Sequence, residues 1–195
     1  MANRSTKDQG QAFPIFVVMV GSLLFLAFAF FAVGQASATR NTAQGAADAA
    51  ALAAAQDARE KLTGEWLDSL ADPTTWQDIF DGRIPIEACG AAAVFAEKNG
   101  AVLTEPCYSE PHPWLTYNVS VKTKKPIGDS IIPGTESEFA TADAKAAVKP
   151  LCTFELPDDA EILPTLTCRT KSWDLEDDPT DLPDAKDLFD VQLVD

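Results

Sequence analysis

The pattern of hydrophobic and polar positions divides the chain into distinct blocks. From Ala12 to Gly34 there is no charged side chain, and Phe, Leu, Val and Ala dominate. A helix over those 23 residues would be about 35 Å long, enough to cross a hydrocarbon core of roughly 30 Å. A soluble core helix of that length would carry a polar stripe, which this run lacks, and an unpaired charge inside a bilayer is costly. The pattern predicts a transmembrane helix. Pro14 sits in its first turn, where a missing N–H does little harm.

Residues 35–71 predict a second helical stretch, continuous with the first. Alanine, the best helix former, recurs throughout, with Leu52, Leu62, Trp66, Leu67 and Leu70 further on. Asp72-Pro73 marks its expected end, because the residue before proline avoids the helical region. Gly34 and Gly45 are places where the rod could bend. Ala43, Ala47, Ala51 and Ala55 lie along one line, and Ala46, Ala50, Ala54 and Ala58 along another. Small residues at that spacing allow close approach of a second element. The surface could serve self-assembly or a partner subunit, or pack against the chain's own domain; the sequence leaves both open.

Beyond Pro73 the spacing predicts a short helix and turn over Thr74–Pro85 and a helix over Ile86–Lys98, stopped by Asn99-Gly100. A proline-broken loop holds Cys107, Pro111 and Pro113. The period then becomes two. Leu115, Tyr117, Val119 and Val121 alternate with polar residues up to Thr123, and residues 138–149 alternate with Ala140, Ala142, Ala144, Ala146 and Val148 on one face. Leu151–Leu156 and Thr165–Trp173 are weaker strands. The expected fold is α+β: a long N-terminal transmembrane helix continuing into an alanine-rich helix, packed on a small antiparallel sheet. Residues 1–11 form a cytoplasmic head, 12–34 the span, 35–71 a stalk and 72–173 the extracytoplasmic domain. Asp174–Asp195 holds nine acidic side chains and one lysine and predicts a disordered acidic tail.

Charge and cysteines sharpen this picture. The formal net charge of −15 argues against nucleic acid as a partner and against the body lying on an anionic membrane. Arg4 and Lys7 precede the span while Arg40 is the nearest cation after it, so the positive-inside bias places the N-terminus in the cytoplasm. Cys89, Cys107, Cys152 and Cys168 all follow the span. An even set on one side suggests two disulfides in an oxidising compartment. Of the three pairings that four cysteines allow, the sequence-nearest is Cys89–Cys107 with Cys152–Cys168; four buried free thiols are the alternative. Ala36-Ser37-Ala38 resembles a signal-peptide cleavage site, but the apolar run is longer than a signal's 7–15 residues.

Candidate chemistry is sparse. The only histidine, His112, lies between two prolines, and no catalytic constellation, cofactor loop or metal motif can be built around it. Lys122, Lys124 and Lys125 form a small basic cluster at a strand end. Asp181, Asp184, Asp187 and Asp190 recur every third residue without the glycine turn and terminal glutamate of an EF-hand. Asn118-Val119-Ser120 matches a glycosylation sequon.

The order of features carries a resemblance. Asp8-Gln9-Gly10-Gln11-Ala12-Phe13-Pro14 leads directly into the hydrophobic helix, and Gln44-Gly45-Ala46-Ala47-Asp48-Ala49-Ala50-Ala51-Leu52-Ala53 follows it. Alternating strands ending in Ala140-Thr141-Ala142-Asp143-Ala144-Lys145-Ala146-Ala147-Val148-Lys149-Pro150 come later. This resembles the TadE/TadG-like proteins of tight-adherence (Flp-type) pilus systems over roughly residues 8–55. The resemblance implies a pilin-like structural or accessory protein of the cell envelope, with no enzymatic role, whose partners are other pilus or envelope subunits or further copies meeting through the N-terminal helix. It also implies a prepilin-type cleavage position between Gly10 and Gln11. Ile15 stands where a pilin would carry glutamate, so an uncut accessory protein fits the sequence better. A membrane-tethered or secreted binding module is the alternative function.

Overall fold

The computed structural model describes residues 12–111, 113–126, 137–157, 162–175 and 181–195. The first element, α1 (Ala12–Asp68), is a single helix of 57 residues, about 85 Å long at 1.5 Å per residue. It runs through Gly34 and Gly45 without leaving the helical state. It stops four residues short of Pro73. The Ser69 amide donates to the carbonyls of Glu65 and Trp66, and the Asp72 side chain accepts from the Thr74 amide to start a one-turn 3₁₀ segment, Pro73–Thr75. Two short helices follow, α2 (Trp76–Phe80) and α3 (Cys89–Lys98). The expected start at Ile86 is three residues early. The Ile86 carbonyl instead accepts the Tyr117 hydroxyl at 2.7 Å, a tertiary bond that spacing does not reveal.

The strands are β1 (Ala101–Leu103), β2 (Tyr108–Glu110), β3 (Leu115–Thr123), β4 (Thr141–Pro150), β5 (Cys152–Thr153), β6 (Leu166–Cys168), β7 (Ser172–Trp173) and β8 (Phe189–Val194), with helix α4 (Ala185–Leu188) before the last. The main sheet runs β1-β3-β4-β8, with β2 also pairing β3, and every pair is antiparallel. Leu115 lies opposite Val148 and Val121 opposite Ala142, so the alternating apolar positions share one face. That face lies against α1, which packs on β4, β3 and α3. A three-stranded sheet, β5-β6-β7, sits beside it.

One expectation is corrected here. The expected disordered tail over 174–195 does not hold for residues 185–194, which form α4 and β8. Leu188 and Phe189 are fully buried, and β8 pairs with β4 from Phe189↔Pro150 to Val194↔Lys145. The acidic composition hid apolar residues at positions a strand and a helical turn can bury. The alanine-rich continuation is packed on the sheet as expected, and from Ala46 onward its buried alanines are part of the domain core.

Candidate functional site

The candidate functional surface is α1, which changes character along its length. Between Phe13 and Val33 its large apolar side chains are 39% to 77% exposed. Among the described residues nothing in the body covers them. This stretch has a mean hydropathy of 2.7 over its most apolar window and is long and apolar enough to cross a membrane. Apolar surface of this extent needs a non-aqueous neighbour, and lipid or another helix would supply one.

From Ala43 the helix is enclosed. Ala43, Ala47, Ala51 and Ala55 are completely buried, and so is the second line, Ala46, Ala50, Ala54 and Ala58, which continues through Leu62 to Trp66. Opposite them β4 contributes buried Ala144 and Ala146. Alanine against alanine lets a helix lie close on a sheet, and the larger Leu62 and Trp66 fill the space at the far end. Of the two uses open for the alanine lines, the fold takes the internal one. These residues are not available to a second molecule while the domain is folded.

The cysteines are joined as Cys89–Cys107 and Cys152–Cys168, with Cα separations of 5.5 and 3.9 Å. The first ties the start of α3 to the segment between β1 and β2. The second links directly opposed residues of β5 and β6.

The periodic aspartates are spent on local structure. The Asp187 carboxylate accepts from the Asp184 amide at 3.1 Å, Asp181 pairs with Lys171, and Asp190 lies opposite Lys149. Among the described residues no group of three or more His, Cys, Asp or Glu side chains could hold a metal ion. His112, Gly10 and Gln11 lie outside the described residues. Asn118 of the sequon is buried in β3, between Tyr108 of β2 and Lys145 of β4, so the folded chain does not present it for modification.

The sequence reading missed a gathering of cations at the end of the body where α1 emerges. Lys122, Lys124 and Lys125 are joined there by Arg40 from α1 and Lys98 from α3, all exposed. Only the basic run at 122–125 is visible as a local signal, because the other two lie far away in sequence.

Residues 10–57 match the family model described as "Putative Flp pilus-assembly TadE/G-like". No curated protein and no solved structure matches the chain. The matched segment spans the exposed apolar part of α1 and its first buried turns, and ends before the sheet. Over these residues, about a quarter of its length, the chain is similar to the TadE/G-like Flp pilus-assembly proteins.

Proposed function

We propose that this protein is a structural or accessory envelope component of a tight-adherence (Flp-type) pilus or a related secretion system, and that it acts by assembly through its N-terminal helix. One observation carries the reading. The family match at residues 10–57 takes in the whole stretch of α1 whose apolar side chains stand exposed, together with the first buried turns. Because the alanine lines are enclosed, the contact surface is assigned to the segment from Phe13 to Val33. In a bilayer such contacts contribute through close packing between helices, since lipid is already as apolar as the side chains. On this reading the chain is a single-pass protein of the cell membrane, and the positive-inside bias supports Arg4 and Lys7 on the cytoplasmic side. Two disulfides suit a body outside it. The partners are other pilus or envelope subunits, or further copies.

Deleting residues 1–38 in the native cells is the test. The expected result is a body lost from the membrane fraction and cells without pili. Piliation supported by the body alone would end the assembly-by-helix reading. The mature N-terminus, read by intact mass, resolves processing: a start near Met1 marks an uncut accessory protein, and a start at Gln11 marks prepilin-type cleavage after Gly10.

A further inference from the structure

We propose that the membrane-facing end of the body is a basic and aromatic collar that rests on the anionic headgroups of the phospholipid layer crossed by α1. The inference rests on residues 12–34 being a membrane anchor. If the helix leaves the hydrocarbon at Gly34, Ala38–Thr42 lie about 6–12 Å further along its axis. The headgroup layer is roughly 5–8 Å deep on each side, so these turns stand at its outer boundary.

The fold brings particular elements to that level. Ala38, Thr39 and Thr42 share a shallow hollow with Gly100, Lys124 and Lys125. Arg40 and Asn41 line another with Glu138 and Phe139. The register fixes the arrangement: the Lys124 amide donates to the Gly100 carbonyl at 2.8 Å, and Lys122 lies opposite Thr141 at the start of β4. Arg40, Lys98, Lys122, Lys124 and Lys125 are all exposed at this end. The acids beside them among the described residues are Glu97, held by Lys124 at 3.1 Å, and Glu138, with Asp48, Asp143 and Asp195 around the next hollow along, which shares Gln44. In a chain of net charge −15, these five cations are gathered at one end among the described residues. The Lys98 ammonium lies 4.8 Å from the centre of the Phe95 ring and the Lys122 ammonium 5.4 Å from that of Phe139. Those rings are 40% and 41% exposed. Cations paired with amphipathic or aromatic groups are what a membrane interface selects.

Lipid is favoured over an acidic protein by continuity with the anchor. The tether holds the collar beside the headgroups, so attraction worth only about five-fold per cation is enough to seat it. The acidic remainder is repelled from the same surface. Seating would therefore hold the body upright with its aromatic far end, including Phe189 at the start of β8, directed away from the membrane.

Lysine footprinting tests this on the full chain in vesicles. An impermeant acylating reagent is applied to protein in pure phosphatidylcholine and in vesicles containing roughly one-third phosphatidylglycerol, and labelling is read by peptide mass spectrometry. Lys98, Lys122, Lys124 and Lys125 should label several-fold more slowly in the anionic vesicles, with Lys61 and Lys186 unchanged. The protection should vanish near 1 M salt, where screening shortens to about 3 Å. Equal labelling in both lipids, with the protein still floating with vesicles after a high-salt wash, overturns the collar and leaves the anchor standing. Protection that is the same in neutral lipid points to a protein contact and also overturns it. Protein that fails to float overturns anchor and collar together.

Discussion

The ring of Phe189 stacks on that of Phe80, with centroids 5.3 Å apart and planes 28° apart. The contact ends a run of aromatic neighbours. Trp66 meets Trp76 edge-on at 5.5 Å, Trp76 meets Phe154 at 5.4 Å, and Phe154 meets Phe80 at 5.7 Å. The end of α1, the short α2, the segment after β5 and the C-terminal strand are thereby joined at one pole of the body. Trp76 is completely buried and its indole N–H is satisfied, donating to the Ser69 carbonyl at 3.0 Å.

Phe189→Ala should therefore destabilise the body by about 3–5 kcal/mol, the usual cost of removing a buried ring. Denaturant unfolding of the full chain in detergent checks it. A loss below about 1 kcal/mol would mean that backbone pairing alone holds β8, since changes at positions making no such contact stay within roughly 0.5 kcal/mol.

The enclosed alanine lines make a separate prediction. Ala51→Leu inserts three carbons where there is no room and should cost about 1–3 kcal/mol through overpacking. Gln56→Leu, on the exposed side of the same helix, should stay within roughly 0.5 kcal/mol. Thermal melts of both variants decide between them. If both were silent, the alanine surface would be facing outward.

Two glycines should respond in opposite directions to alanine. Gly82 has φ +65°, and a Cβ there would stand 2.8 Å from the Leu115 Cβ and 3.1 Å from its amide nitrogen. Gly82→Ala should cost about 1–3 kcal/mol from backbone strain, with the clash adding to it. Gly64 lies inside α1 with nothing within 4 Å of a built Cβ, so Gly64→Ala should stabilise by roughly 0.5–1 kcal/mol. Comparing the two melting temperatures is sufficient, and a shared sign would contradict the geometry.

Tyr117 is 1% exposed and donates to the Ile86 carbonyl. Burial, reinforced by the charges of Asp57 and Glu87, pushes its hydroxyl above the ordinary tyrosine range. The unfolded chain would release this proton near pH 10 while the folded chain still holds it. This contribution to stability is complete below pH 10 and is lost progressively as pH rises above it. Tyr117→Phe should be less stable at neutral pH, by about 0.5–1.5 kcal/mol for the lost hydrogen bond, yet flatter in its alkaline decline. Unfolding free energies between pH 8 and 11 provide the comparison. An unchanged slope in the variant would show that another group drives the alkaline loss.

Much of the architecture is legible along the chain because it depends on neighbours in sequence. The charge-free run from Ala12 to Gly34, the alanine propensity of the following turns and the period-two alternation of β3 and β4 each act over a few residues. The nearest-neighbour disulfide pairing also follows a short-range logic: Cys89 and Cys107 are separated by 18 residues and Cys152 and Cys168 by 16. The C-terminal stretch misled because composition averages over positions. Leu188, Phe189 and Val191 are few among the aspartates, but they fall where α4 and β8 meet the core.

The sequence by itself determined that this chain has an apolar span, a helical continuation and a disulfide-bonded α+β body, since each follows from local composition and period. Only the tertiary structure decided that the alanine lines are spent inside the domain, that the acidic end closes the sheet as its edge strand beside β4, and that Arg40 and Lys98 join the lysines at 122–125. Those outcomes depend on which distant segments come into register. Register is settled by the burial of apolar faces summed over the whole body, a quantity no local window contains.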